Sequence, residues 1–309
     1  MLARLRTIRW EAEGVNSYRL EPIDGRFAPV PPGSHIDVRL PVGLTRSYSL
    51  VQAPDTTDHY EIAVQHAVDG RGGSSHIHDV WRVGELVEIG EPRNNFPLHE
   101  TASHSVFIAG GIGITPILPM IARLETLGAS WSLHYAVGKR SRAAYLDRVA
   151  GRPNVHLAIG DEPATGRLDM AGLIGAMPVG AHIYCCGPMR MVAAFRELTA
   201  PLPAGHAHYE LFTADTEVAT QGGYTLELVR SGRIIAVEPG QSMLDALLAA
   251  GINIGFACSE GVCGSCETRV LAGQPDHRDH FLTPEEKAEN RSVMVCCSGA
   301  LSSSLVLDL

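Results

Sequence analysis

Cys258, Cys263 and Cys266 form a C-x4-C-x2-C run, and a further pair, Cys296 and Cys297, follows about thirty residues on. Four thiolates at this spacing hold a plant-type [2Fe–2S] cluster. Structural zinc draws its cysteines as two matched short pairs, or as one pair with histidines, which is a different pattern. Gly255, Gly261 and Gly264 in the same stretch let backbone N–H groups approach sulfur, where hydrogen bonds tune a cluster. Cys296 is taken as the fourth ligand and Cys297 as its buried neighbour.

Two glycine-rich segments could hold phosphate. Gly70-Arg71-Gly72-Gly73-Ser74-Ser75 offers several N–H groups with no Cβ in the way, ahead of an expected helix N-terminus. Gly110-Gly111-Ile112-Gly113-Ile114-Thr115-Pro116 follows an apolar strand and opens a helix, with Thr115 expected as N-cap and Pro116 at the first helical position. That helix end suits a pyrophosphate, although the segment lacks the last glycine of G-x-G-x-x-G. Cys185-Cys186-Gly187-Pro188 ends another apolar strand, at the carboxyl edge where open parallel sheets bind ligands. In Arg46-Ser47-Tyr48-Ser49 the side chains alternate on a strand, so Arg46 and Tyr48 share one face.

The elements that must position these residues fall into three stretches. Up to about residue 98, short alternating runs such as 35–40, 60–64 and 85–89 predict an antiparallel barrel, left through a turn at Asn94-Asn95-Phe96-Pro97. Strands over 105–109, 131–137, 155–159 and 182–186, with helices over 116–127 and 141–149, then predict a parallel sheet with βαβ crossovers. Residues 213–222 are polar and aperiodic and read as a linker. A hairpin, 224–229 with 234–237, and a helix over 242–250 lead into the cysteine run. Thr283-Pro284-Glu285-Glu286 reads as a capped first helical turn.

Taken in order, Arg46-Ser47-Tyr48-Ser49, Gly70-Arg71-Gly72-Gly73-Ser74, Gly110 to Pro116, Cys185-Cys186-Gly187-Pro188-Met189, the cysteine run and Asp276-His277-Arg278-Asp279 resemble the phthalate dioxygenase reductase family, which includes vanillate demethylase reductases. The resemblance covers nearly the whole chain. It implies a multidomain α+β and α/β protein: a flavin-binding β-barrel at 1–98, a nicotinamide-binding α/β domain at 99–212, the linker at 213–222, and a C-terminal β-grasp ferredoxin domain at 223–309. It implies FMN, with FAD the alternative, whose phosphate rests on Gly72, Gly73 and Ser74 beside Gly70 and Arg71. Tyr48 would pack on the isoalloxazine, Arg46 would reach phosphate or ribityl oxygens, and Ser49, next to Ser47 on the same strand, would lie near N5. NADH would bind on Gly111, Gly113, Thr115 and Pro116, with Cys186, Gly187 and Pro188 near the nicotinamide and Phe212 as an aromatic near the flavin. Ser49 and Cys186 are thus the candidate catalytic residues, Cys186 as a packing and polarising group, since hydride transfer needs no covalent nucleophile. Electrons would leave through the cluster on Cys258, Cys263, Cys266 and Cys296 to a Rieske-type oxygenase or O-demethylase. Gly299 departs from the family, which has arginine there.

The net charge of −9 argues against a nucleic-acid partner. No apolar run is long enough to span a membrane, and Met1 to Trp10 lacks the apolar core of a signal peptide, so a cytoplasmic location is expected. From residue 223 onward there are six Lys and Arg against eleven Asp and Glu, which suits docking on a basic face. Lys139, Arg140 and Arg142 follow the second strand of the sheet, where a 2′-phosphate would sit, yet NADH is preferred. His76 with His78, and His206 with His208, read as solvated or hydrogen-bonded strand or loop residues. The competing functions are a reductase for another redox acceptor and a non-catalytic iron–sulfur carrier.

Overall fold

The computed structural model describes residues 1–68, 70–213 and 216–309, with Val42 described by its backbone only. Two compact units divide the chain, Met1–Leu211 and Phe212–Leu309.

The first unit opens with an antiparallel barrel: β1 (Leu2–Ala12), β2 (Val15–Pro22), β3 (His35–Arg39), β4 (Thr45–Ser49), β5 (Tyr60–Gln65) and β6 (Leu86–Ile89), in the order β4-β3-β6-β1-β2-β5. Irregular pairing at Leu5/Thr7 and Trp10/Ala12 bends β1 around the barrel. A bridge between Leu50 and Ile62 and the bond from Val51 N to Glu61 O (2.9 Å) draw the two outer strands together. Alternation turns Leu5, Leu20, Ile36, Val38 and Ile62 into the core, and α1 (Gly73–Val80) lays Ile77 against it. His76 and His78 lie in α1, not in a strand or loop; their two-residue spacing cannot distinguish these cases.

The parallel sheet follows: β7 (Ser105–Gly110), α2 (Ile117–Leu127), β8 (Trp131–Val137), α3 (Leu146–Val149), β9 (Val155–Ile159), α4 (Met170–Gly175), β10 (His182–Cys186), α5 (Met189–Thr199) and β11 (Ala207–Glu210), in the order β11-β10-β7-β8-β9. Both faces of β7 are buried, one under α2 and the other under α5, which explains its unbroken apolar run. Val51, Ala63 and Phe96 from the barrel side join Phe107 and Ile117 in one core, so barrel and sheet are not separable bodies.

Two expectations fail here. The helix expected over 141–149 is a 3-10 turn, Arg140–Arg142, followed by the single turn of α3. Tyr145 breaks it: its backbone is left-handed (φ 55°), its ring is fully buried, and its hydroxyl donates to Glu61 Oε1 at 3.1 Å. A tertiary contact outweighs local helix preference. Thr115 does not cap α2 either. Gly111–Ile114 forms a 3-10 turn, the Thr115 hydroxyl donates back to Ile112 O (3.0 Å), and Pro116 takes the cap position.

The second unit holds β12 (Tyr224–Leu228), β13 (Arg233–Val237), α6 (Met243–Ala249), β14 (Glu267–Ala272), β15 (Pro275–Asp276), α7 (Pro284–Glu289), β16 (Ser292–Met294), β17 (Gly299–Ala300) and β18 (Ser304–Leu307). The main sheet runs β13-β12-β18-β14-β16, with β12 and β18 parallel, and β15 pairs β17 separately. Capping boxes start both helices, Ser242 with Asp245 and Thr283 with Glu286. Of the segment expected as a linker, 213–222, residues 214 and 215 lie outside the described residues. Residues 216–222 are fastened to this unit: Thr216 Oγ1 donates to Glu260 O (2.7 Å), Ala219 N to Cys297 O (2.8 Å), and Gly222 leaves no room for a Cβ against Glu238.

Candidate electron-transfer sites

At the barrel end, Arg46 and Tyr48 share a face of β4 as the alternation requires. Tyr48 is partly buried on the barrel core. The Arg46 guanidinium donates to Thr45 O (2.7 Å) and Arg71 O (3.4 Å). Gly72 (φ 81°) precedes α1 in the left-handed region, and a Cβ on Gly73 would stand 2.8 Å from Arg46 Cγ. The arginine therefore lies directly across the helix N-terminus, where a cation and free N–H groups together suit a phosphate. The Ser74 hydroxyl accepts from Ala67 N (3.1 Å), closing the loop. Ser47 points the other way and donates to Asp37 Oδ1 (2.6 Å), which makes it a brace for the strand.

Ser49 is buried, and its Oγ makes no hydrogen bond of normal length among the described residues, although the Glu210 carboxyl stands near enough to feel it. Beside it lies Glu210, at the end of β11, a residue that sequence reasoning passed over. The parallel register sets Glu210 beside Cys186, and their side chains approach to 4.0 Å, Sγ to Oε2. Part of Glu210 reaches the surface, but burial of its carboxyl pushes the pKa up to about 8, against a smaller lowering by the Ser49 hydroxyl. Burial, and then Glu210, push the Cys186 thiol well above its usual range, so it is no thiolate nucleophile. Cys185 faces the opposite core and is pushed up to about 12 by burial alone.

Three glycines seat the neighbouring loop. A Cβ on Gly113 would stand 2.2 Å from Cys186 O, one on Gly110 2.6 Å from Pro188 Cδ, and one on Gly187 3.0 Å from Gly110 Cα. Gly111 (φ 55°) has open space where its Cβ would project. The ends of β7 and β10 thus meet backbone to backbone and leave Gly111 accessible. An orphaned serine, a helix N-terminus under an arginine and an open glycine turn fit a flavin mononucleotide and a dinucleotide. Phe212, about one-third exposed, opens the second unit.

In that unit Cys258, Cys266, Cys296 and Cys297 are buried and Cys263 is partly exposed. The Cys258 thiol hydrogen-bonds with both Cys263 and Cys296 and accepts from Glu260 N (3.4 Å) and Val262 N (3.5 Å). Backbone donors aimed at sulfur favour a thiolate. Cys297 lies over Gly261, where a Cβ would come within 2.6 Å of its sulfur, and its other neighbours include the Cys296 thiol, Met294 O and Ser298 Oγ. Among the described residues no three His, Cys, Asp or Glu side chains gather as one metal ion requires. Thiols from one loop and from one distant segment, with backbone N–H groups aimed at the Cys258 sulfur, suit a two-iron cluster, which divides four thiolates between two centres. The Asp276–Asp279 segment braces the loop: His280 N donates to Gly261 O (2.9 Å), and buried Asp279 Oδ1 accepts from Phe281 N (3.1 Å) and Leu282 N (2.8 Å). At Gly299 a side chain would press on Ala219. Arg278, paired with Asp276 at 2.8 Å, keeps a cation near Cys297.

Residues 226–301 match the 2Fe-2S iron-sulfur cluster binding domain. Over 308 residues the chain is 47% identical to the phenoxybenzoate dioxygenase subunit beta of Ectopseudomonas oleovorans, spanning 99% of this chain and 96% of that one. It is 45% identical over 307 residues to the tetrachlorobenzoquinone reductase of Sphingobium chlorophenolicum, spanning 96% and 94%. Among solved structures, phthalate dioxygenase reductase, described as modular for electron transfer from pyridine nucleotides to [2Fe-2S], matches with a TM-score of 0.76 and 33% identity over 100% of this chain and 98% of that one. The chain belongs to the phthalate dioxygenase reductase family. This reductase is an oxidoreductase, and its antiparallel barrel, parallel sheet and C-terminal iron–sulfur domain follow the family order. No helix among its described residues is long and apolar enough to cross a membrane.

Proposed function

We propose that this reductase oxidises NADH and delivers single electrons to a Rieske-type aromatic oxygenase or O-demethylase. When bound, FMN would accept the hydride and a [2Fe–2S] cluster on Cys258, Cys263, Cys266 and Cys296 would carry electrons singly. The observation that carries the reading is the meeting of Ser49, Cys186 and Glu210, from β4, β10 and β11, in a chain that also holds the cysteine loop. Arg46, Gly72 and Gly73 would hold the flavin phosphate, Gly111 would let the dinucleotide approach while Gly113 lets the turn close on β10, and Cys186 would pack against the reacting ring. The flavin segment, 1–98, and the nicotinamide segment from 99 then lie together in the first unit, the cluster lies in the second, and the clustering of the seven cysteines suits a reducing cytoplasm. An acidic C-terminal unit would dock on a basic partner face in a salt-sensitive way.

Anaerobic titration of the purified holoprotein with NADH tests the relay. Flavin and cluster bands should both bleach, with about three electrons taken up per chain, two by the flavin and one by the cluster. Cluster bands that NADH leaves unbleached would sink the hydride assignment in favour of a carrier. The likeness to tetrachlorobenzoquinone reductase favours a second reading, in which a quinone is the acceptor; rapid NADH oxidation with a quinone, and none with an oxygenase component, would select it.

Glu210 gives the reading a pH signature. Below about pH 8 its carboxyl is neutral and can share a proton with the Ser49 hydroxyl; above it the carboxylate is charged, and its negative field opposes the gain of a hydride by a ring held beside it. Flavin reduction by NADH should slow about tenfold between roughly pH 7 and 9, an effect of about 1.4 kcal/mol on the barrier. Glu210→Gln should remove that inflection. The folded state binds this proton more tightly than the unfolded chain, so the group's stabilisation is present below the ordinary carboxyl value, 4.5, and is lost as pH rises through about 8. A level stopped-flow profile in the unmodified protein would refute the role.

A further inference from the structure

With a dinucleotide pyrophosphate on the Gly111 turn after β7 and the nicotinamide toward Cys186 of β10, the adenosine end falls on the other side, over the ends of β8 and β9. The turn after β8 carries Lys139, Arg140 and Arg142. Cations here would ordinarily recommend the site to a 2′-phosphate. Both arginines, however, already hold carboxylates. Arg140 grips Glu162 with two arms, Nε to Oε1 and Nη2 to Oε2, the second at 2.7 Å. Its backbone N–H donates to Asp161 Oδ1 at 3.0 Å, which fixes the turn against the end of β9. Arg142 reaches Glu13 Oε1 at 3.4 Å, while Ser141 Oγ donates to Glu13 Oε2 at 2.6 Å. Glu13 is held below the ordinary carboxyl range by that Ser141 bond first, then by Arg142, with Lys139 close enough to add to the effect. Asp161, Glu162 and Glu13 therefore stand against Lys139, Arg140 and Arg142.

An exposed ion pair contributes little to folding, so stability gives small reason for this arrangement. Its consequence for a ligand is larger. A phosphate monoester carries roughly −1.5 to −2 charges at neutral pH and seeks the planar fork of an arginine. At Arg140 that fork is taken, and the occupant is itself an anion.

We propose that Glu162 determines the choice of dinucleotide: by occupying the Arg140 guanidinium it bars a 2′-phosphate and leaves a site for the free 2′-hydroxyl. The inference rests on the hydride reading of the β7 turn and deepens it. Asp161 acts as a positioning residue, because its contact is with the backbone of the turn. Both partners of the pair are substantially exposed, so a neutral substitution leaves the fold intact.

The test is calorimetric binding of ADP and of 2′,5′-ADP to the holoprotein, with no turnover required. The unmodified protein should bind ADP and take 2′,5′-ADP at least about tenfold more weakly. Glu162→Gln should tighten 2′,5′-ADP by roughly tenfold to a hundredfold, as one freed charge-assisted fork allows, and leave ADP within about twofold. Adding Arg140→Ala should cancel the gain, since the two residues act as a unit. The preference for NADH over NADPH in kcat/KM should shrink in parallel. Unchanged 2′,5′-ADP affinity in Glu162→Gln, with ADP still bound, overturns the inference and spares the hydride reading. Binding of neither nucleotide by the unmodified protein overturns both.

Discussion

Cys296→Ser should yield a reductase that still bleaches dyes with NADH but passes almost nothing to an iron–sulfur partner, whereas Cys297→Ser should keep both activities. The two cysteines are adjacent and equally buried, so composition and exposure cannot separate them. Their neighbours do. Cys296 joins the thiols through Cys258, which also contacts Cys263 and receives two backbone N–H groups. Cys297 contacts the thiol of its chain neighbour Cys296 and rests over Gly261, near the Met294 carbonyl and the Ser298 hydroxyl. Loss of a ligand removes the one-electron carrier, and partner reduction should fall by more than about a hundredfold, beyond the range seen for groups that only support a metal site. Dye reduction depends on Ser49, Cys186 and the Gly111 turn, all in the first unit, and should stay within about threefold. Low-temperature electron paramagnetic resonance of the reduced protein, with iron content, reads the result directly. A cluster retained in Cys296→Ser and lost in Cys297→Ser would reverse the assignment.

That assignment was partly legible in the sequence because ligand spacing within a loop is local information. C-x4-C-x2-C requires no knowledge of how distant strands pack. The same holds for the glycine turns and for the capping box at Thr283, which the structure contains. What escaped is tertiary. Glu210 stands on a short edge strand with Tyr209 and Leu211 beside it, and nothing local distinguishes it from a solvated carboxylate. Only the parallel register with β10, which sets it beside Cys186, and the approach of Ser49 from the barrel make it part of a site. A signal was present in its position: a single carboxylate closes the last strand of a sheet whose strand ends bind ligands. Tyr145 misled for the same reason, since a buried hydroxyl contact to Glu61 outweighs the helical tendency of its neighbours. Residues 216–222 look like linker because they are polar and aperiodic, yet their backbone is bonded and packed, as Ala219 and Gly222 show. Polarity reports solvent preference, and anchoring by main-chain groups leaves no mark on it.

Gly113→Ala should cost about a hundredfold in NADH-dependent flavin reduction while leaving flavin and cluster bound. The added methyl would stand 2.2 Å from Cys186 O, 2.4 Å from Cys186 C and 2.8 Å from Gly187 N, all backbone atoms of the strand end that carries the nicotinamide-facing thiol. A flexible side chain could swing aside, but these atoms belong to a strand paired on both edges and cannot. Either the turn lifts or the end of β10 recedes by the order of an ångström. Displacement of about 1 Å at reacting groups is enough for a loss near a hundredfold, because hydride transfer depends on held distance and angle. Gly128→Ala, at the end of α2 and away from the ligand-binding strand ends, makes the control. Its Cβ would project into open space, so the substitution bears only the strain of a positive φ, roughly 1 kcal/mol. Binding of ADP should survive in both variants, while single-turnover reduction collapses only in Gly113→Ala. Equal, small losses in the two would mean that the meeting of β7 and β10 tolerates displacement, and that Cys186 does not set the position of the nicotinamide ring.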